Sequence, residues 1–239
     1  MCLNPVVALL QFTTILPLGR TRDFGEFARH SWIYPLAGYV VGGIAAICVL
    51  FLRPPLLAAA VGIGLVFLLS GCNHLDGLMD LGDGLMAHGG RERRVAALTD
   101  RQVGTGALAL AVVTTLVSYS SLASVSSAAC SLLVAEVGAK FSMAFLSTSG
   151  KPFRDGIHAT IQSRSKPYFP LLAGVLCLPL ALLPVPGRAL LLAAGAMVAC
   201  PLVLQLVSGR LFGGVNGDVV GAANEITRAS VLAVLCISG

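Results

Sequence analysis

The sequence predicts an all-α protein: a polytopic membrane helix bundle of about six transmembrane helices, with an N-terminal interfacial helix and a short C-terminal apolar segment. Three observations carry this. Of 239 residues, 56% are hydrophobic and only 11% charged, and the mean hydropathy is +0.87. A soluble domain uses roughly 25% charged residues to cover its surface, so eleven acids and sixteen bases leave much of this surface to lipid. The apolar residues also gather in runs near the length a helix needs to cross the hydrocarbon core, and the bases lie almost wholly on one side of those runs. The same composition excludes disorder, coiled coil and a secreted disulfide scaffold. The chain is expected to be one integral membrane domain over residues 1–239.

Element by element, the apolar stretch Val6 to Leu18 is bracketed by Pro5 and Pro17 and is too short to span, so an interfacial or re-entrant helix is expected. The first span runs from about Trp32 to Leu52 and stops at Arg53-Pro54-Pro55. The second covers Leu56 to Cys72, the third Gly104 to Leu122 and the fourth Ser127 to Thr148. The fifth, Tyr168 to Leu183, closes at Pro184-Val185-Pro186-Gly187, and the sixth covers Ala189 to Ser208. The apolar tail after Arg228 has eleven residues, too few to span alone. No internal repeat is evident.

Fifteen of the sixteen bases orient this layout, Lys140 lying inside a span. Arg20, Arg22, Arg29, Arg91, Arg93, Arg94, Arg101, Lys151, Arg154, Arg164, Lys166, Arg210 and Arg228 share one side, and only Arg53 and Arg188 fall on the other. Such a bias marks the cytoplasmic face, so six spans with both termini cytoplasmic are expected, in the inner membrane of a prokaryote. The formal charge of +5 thus reflects loop bias and predicts no nucleic-acid partner. The seven cysteines show no C-x-x-C spacing and read as small buried hydrophobes.

Acids are scarce, so their positions are informative. Asp76, Asp80 and Asp83, at spacing i, i+4, i+7, lie on a segment expected to continue the second span at the cytoplasmic interface. At ~100° per residue they share one helix face within an arc of roughly 60°. Like charges so close repel unless neutralised, and a divalent cation held by oxygen ligands is the natural partner; Mg²⁺ shared between these aspartates and substrate phosphates is the expected arrangement. Gly77, Gly82 and Gly84 leave room for a ligand or another helix to approach. His74, just before the triad, is a candidate to order a carboxylate or donate to phosphate. Arg101 abuts the Gly104-Thr105-Gly106 turn, where backbone N–H groups and a guanidinium fork suit phosphate oxygens. Glu136 and Lys140 lie four apart in mid-membrane, where ionisable groups are costly and usually functional; a structural pair gluing helices is the alternative. A Gly-rich loop from Leu211 carries Asn216, Asp218 and Glu225 on the triad's side. Displacement at a diphosphate also needs a base near the attacking hydroxyl, and Asp83 and Asp218 both qualify.

The stretch from His74 to Leu85, the Arg-rich segment after it, Asp100 to Thr105, and Gly213-Gly214-Val215-Asn216-Gly217-Asp218 with Gly221, Ala222 and Glu225 resemble the cobalamin synthase family, the adenosylcobinamide-GDP ribazoletransferases. Gln11-Phe12 to Leu16-Pro17 and Tyr34-Pro35-Leu36-Ala37-Gly38 fit the same family. Asp100-Arg101-Gln102 stands where Asp-Ser-Arg is usual, and Lys140 where arginine is common. The resemblance implies condensation of adenosylcobinamide-GDP with α-ribazole or its 5′-phosphate, with Mg²⁺ required. GMP would be released and adenosylcobalamin or its 5′-phosphate formed. The oligomeric state stays open. Two rivals remain at this stage. A cation transporter would place its carboxylates near the midplane, often with repeats. A CDP-alcohol phosphotransferase would carry Asp-Gly-x-x-Ala-Arg, which does not occur here.

Overall fold

A computed structural model describes residues 4–239. The described chain folds into twelve α-helices and two short 3₁₀ segments. In order these are α1 (Asn4–Thr13), α2 (Phe24–Ala28), α3 (Tyr34–Leu50), α4 (Pro55–Leu69), α5 (Asn73–Met86), α6 (Arg91–Leu98), α7 (Thr105–Ser124), α8 (Ala128–Ser149), α9 (Ile157–Arg164), α10 (Phe169–Cys177), α11 (Gly187–Leu211) and α12 (Gly217–Ser238). Five helices are long and apolar enough to cross a membrane: α3 with the 3₁₀ turn before it, α7, α8, α11 and α12. The number rises to seven if α4–α5 and α9–α10 each count as one bent span. The all-α, multi-pass expectation is met.

Helix α8 is the hub. In its most apolar stretch 78% of residues are buried, against 33% in α7 and 22% in α11, which turn their sides to lipid. Helix α3 lies against α8 through Gly38 and Gly42, whose absent side chains let Val137 and Glu136 of α8 come close. Helix α1 is short and packs Phe12 against Phe24 and Phe27, the latter meeting Tyr34 edge-on, as suits an element that does not span.

Two expectations are corrected. The second span does not run on into the aspartate segment: α4 ends at Leu69 and α5 leaves at 93°. Gly71 (φ 61°) and Cys72 (φ 59°) make the turn in the left-handed region, which glycine enters freely and cysteine does not. Helix α5 therefore crosses the ends of other spans, with Gly77 against Asp218 in the first turn of α12 and Gly82 against Gly106 in the first turn of α7.

The second correction concerns the end of the chain. The later part of the expected Gly-rich loop, from Gly217, and the short tail form one helix, α12, of 22 residues. Asn216 starts it, its side-chain oxygen accepting from Val219 N–H at 3.1 Å. Arg228, expected to mark the cytoplasmic edge, is 1% exposed inside this helix. At ~1.5 Å per residue α12 rises about 33 Å, enough to cross the hydrocarbon core. A spanning α12 would put Ser238 and Asp218 on opposite membrane faces, whereas the sequence expectation puts both termini on the site's side. An accessibility tag fused after residue 239 should report the face opposite a tag in the Arg91–Arg94 loop. The same face for both would refute a spanning α12.

Candidate functional site

Asp76, Asp80 and Asp83 do share one face of α5, and all three line a single cavity of about 250 Å³. Asp218, from the first turn of α12, joins them, as do Asp100, Arg101 and Arg154. Each arrives by its own route. Arg94 of α6 donates to the carbonyls of Leu85 (2.7 Å) and Gly84 (3.3 Å), closing the C-terminal end of α5. The loop after α8 pairs with the loop before α12: Val215 N–H donates to Lys151 C=O at 2.8 Å and Phe153 N–H to Val215 C=O at 3.3 Å. That pairing carries Arg154 to the acids from more than fifty positions away in sequence.

The carboxylates are not equivalent. Asp83 accepts from Gly104 N–H at 2.7 Å on one oxygen and from Ala107 N–H at 2.9 Å on the other. It thus holds the N-terminus of α7, where free amides and the helix dipole favour an anion. A side chain at Gly104 would collide with this carboxylate. Asp218 has one oxygen fixed by the side-chain amide of Asn216 at 2.6 Å. Asp76 stands exposed at the cavity's rim and Asp80 is half-buried. Burial, then Asp218, Asp76 and Asp83, push the Asp80 carboxyl up to about 7. Five acids face two arginines here, so the cavity favours a cation. Among the described residues no three His, Cys, Asp or Glu side chains are already closed around a metal-sized point. The donors are nonetheless hard oxygens of the kind Mg²⁺ prefers, and Mg²⁺ usually takes only one or two carboxylates beside substrate phosphates and water. The residues present fit such an ion.

The other expected site residues divide. Gly104 and Thr105 border an adjoining cavity that shares Asp83 and Asp100 with the first. Asn216 acts through Asp218. His74 lies apart from the aspartate cavity, in a second one that also touches Asp218. Glu136, Lys140 and Glu225 are 0%, 0% and 2% exposed. Their partners are protein groups: Arg228 pairs with both Glu136 and Glu225, Lys140 Nζ donates to Asn224 at 2.8 Å, and Lys140 lies 3.9 Å from Glu136. Arg228 also rests over Phe67 of α4, 5.6 Å from the ring centre. The expected i,i+4 pair is thus part of a larger charge cluster joining α8 to α12, an arrangement that suits the gluing alternative. Sequence reasoning missed Arg228 and Asn224, which it placed in a loop, and Arg154, which it counted only as a topology charge. Glu225 three residues before Arg228 was the available signal, an i,i+3 pair within one helix.

Fold and cavity together define a class: a multi-pass membrane protein with a carboxylate-and-arginine site at the ends of its spans. Residues 5–236 match the family described as Cobalamin-5-phosphate synthase, and the chain belongs to it. Relatives named adenosylcobinamide-GDP ribazoletransferase include one from Halorubrum lacusprofundi, 34% identical with 97% of this chain and 96% of the relative covered. One from Pyrococcus abyssi is 34% identical, with 96% and 97% covered. Another, from Deinococcus radiodurans, is 37% identical over 93% of this chain and 82% of its own length. No solved structure matches. The protein is a transferase of cobalamin biosynthesis.

Proposed function

We propose that this chain joins adenosylcobinamide-GDP to α-ribazole or its 5′-phosphate, with release of GMP and a requirement for Mg²⁺. The observation that carries it is the convergence of Asp76, Asp80, Asp83 and Asp218 with Arg101 and Arg154 on one cavity. In the reaction a ribose hydroxyl of the acceptor forms a new P–O bond to the phosphorus that bears the cobinamide. The P–O bond to the GMP phosphate breaks, and the hydroxyl proton passes to a protein base. Catalysis of this kind rests on positioning and charge neutralisation. Asp76 and Asp80 would hold Mg²⁺, which when bound offsets charge on the diphosphate. Arg101 and Arg154 would pair with the remaining phosphate oxygens, Arg101 from the loop leading to α7. Asp218 is the better base. Both Asp83 oxygens already accept backbone amides, whereas Asp218 has one oxygen without a protein donor and borders both cavities.

Purified protein incubated with adenosylcobinamide-GDP, α-ribazole and Mg²⁺ should release GMP and form a corrinoid product in equal amounts. Chelation with EDTA should stop both, and added Mg²⁺ restore them. Absence of GMP release, with Mg²⁺ flux in proteoliposomes instead, would defeat the proposal in favour of a transporter.

A further inference from the structure

The second cavity, of about 410 Å³, lies within the ~300–1,000 Å³ that small-molecule sites occupy. It opens beside Asp218 and is lined by Phe12, Tyr34, His74, His158 and Ile161 among others. Both histidines are 4% exposed, and Nδ1 of each is buried without a hydrogen-bond partner. Buried polar atoms are seldom left unmatched, so two on residues that line one cavity are a reason to look for a ligand. The tautomer of His158 follows from its one bond: Nε2 lies 2.9 Å from Gly150 C=O, which only accepts, so Nε2 carries the hydrogen. In the neutral ring Nδ1 is then an acceptor that needs a donor such as a ribose hydroxyl. His74 has no such constraint and is free to donate.

Resting on the ribazoletransferase assignment above, we infer that this cavity seats the nucleoside acceptor, with its bicyclic base between the apolar walls, His74 donating to the base's free ring nitrogen and His158 Nδ1 accepting from the ribose. A benzimidazole-type base is mostly apolar and has one free acceptor nitrogen. Guanine, the other base in the reaction, carries several donors and acceptors along its edges, whereas Phe12, Met143, Ile157, Ile161 and Val220 give this cavity broad apolar walls, with Asn73, Ser147 and Asp218 as its polar groups beside the histidines. Asp218 stands on the border of both cavities. A nucleoside in one and a diphosphate in the other would bring hydroxyl and phosphorus together at that carboxylate. The cavity thus separates the two substrates and sets acceptor specificity.

The test compares the two substrates. His74→Gln and His158→Gln should each raise KM for α-ribazole about tenfold, the loss of about one hydrogen bond. KM for adenosylcobinamide-GDP should stay within about twofold. Gln keeps an N–H at position 158 for Gly150 C=O. Equal weakening of both substrates, weakening of the GDP substrate alone, or no change would overturn the inference. A second measurement needs no variant: α-ribazole with a diazirine on its base is photolysed with wild-type protein in Mg²⁺ buffer. Label on residues 157–164 or around His74 supports the cavity, and label confined elsewhere overturns it. Failure of the wild type to release GMP with α-ribazole would instead defeat the transferase assignment, whatever the site of labelling.

Discussion

Asp76→Asn and Asp80→Asn should each lower turnover by about two orders of magnitude or more while the protein remains folded. Both substitutions remove a negative charge with little change of shape. The lost stabilisation of a charged transition state is several kcal/mol, and about 1.4 kcal/mol is tenfold in rate. Asp80→Asn has a second signature that separates a functional carboxylate from a structural one. Burial and three neighbouring acids raise its pKa to about 7 in the folded chain. An acid whose pKa rises on folding favours the fold at low pH, and that contribution is lost as pH rises from about 4 through about 7. The metal-free wild type should therefore melt at progressively lower temperature across that window. Asp80→Asn should show a flatter profile and melt no lower than wild type near pH 8. Near-normal GMP release from monodisperse Asp76→Asn and Asp80→Asn proteins would sink the cation site. A steep drop in melting temperature at every pH would make Asp80 a structural residue instead.

The site was legible where its signal is local. Three aspartates at i, i+4, i+7 meet on one helix face by helix geometry alone, and the cavity bears this out. Asp218 and Arg101 were also found, because each sits beside glycines at a helix start. What stayed hidden depends on partners distant in sequence. Arg154 reaches the acids only through the pairing of Lys151 and Phe153 with Val215. His158 joins His74 only because α9 packs against α12, far from it in sequence. The bend at Gly71 and Cys72 turns what read as an extension of a span into a helix across the span ends. Charge was the other source of error. Counting Arg228 among the loop charges split α12 into a loop and a tail, because an arginine within an apolar run ordinarily marks an interface. Glu225, three positions back, was the one local sign of a buried partner; the other, Glu136, is 92 positions away, and a sequence window cannot see it.

That pairing makes Arg228 the residue whose loss should most damage the fold. Arg228→Met removes the one cation bonded to both Glu136 and Glu225, leaving two carboxylates that are 0% and 2% exposed. Breaking a buried charge pair by removing one partner typically costs about 3–5 kcal/mol, since the remaining charge has neither water nor counter-ion. Lys140 offers only weak relief: it lies 3.9 Å from Glu136 and its hydrogen bond goes to Asn224. The expected result is a large fall in melting temperature in detergent and poor recovery of monodisperse protein. Adding Glu136→Gln and Glu225→Gln should restore much of the stability, because the cost lies in uncompensated charge and not in the lost bonds themselves. By the same logic, Glu136→Gln with Lys140→Met should be tolerated, Arg228 keeping Glu225 as its partner. Turnover near wild type in that double variant would fix Glu136 and Lys140 as framework for α8 and α12. Turnover lost from a stable double variant would return them to the substrate site. A single Arg228→Met protein as stable as wild type would show that water reaches the cluster, and that these helices are held by apolar packing alone.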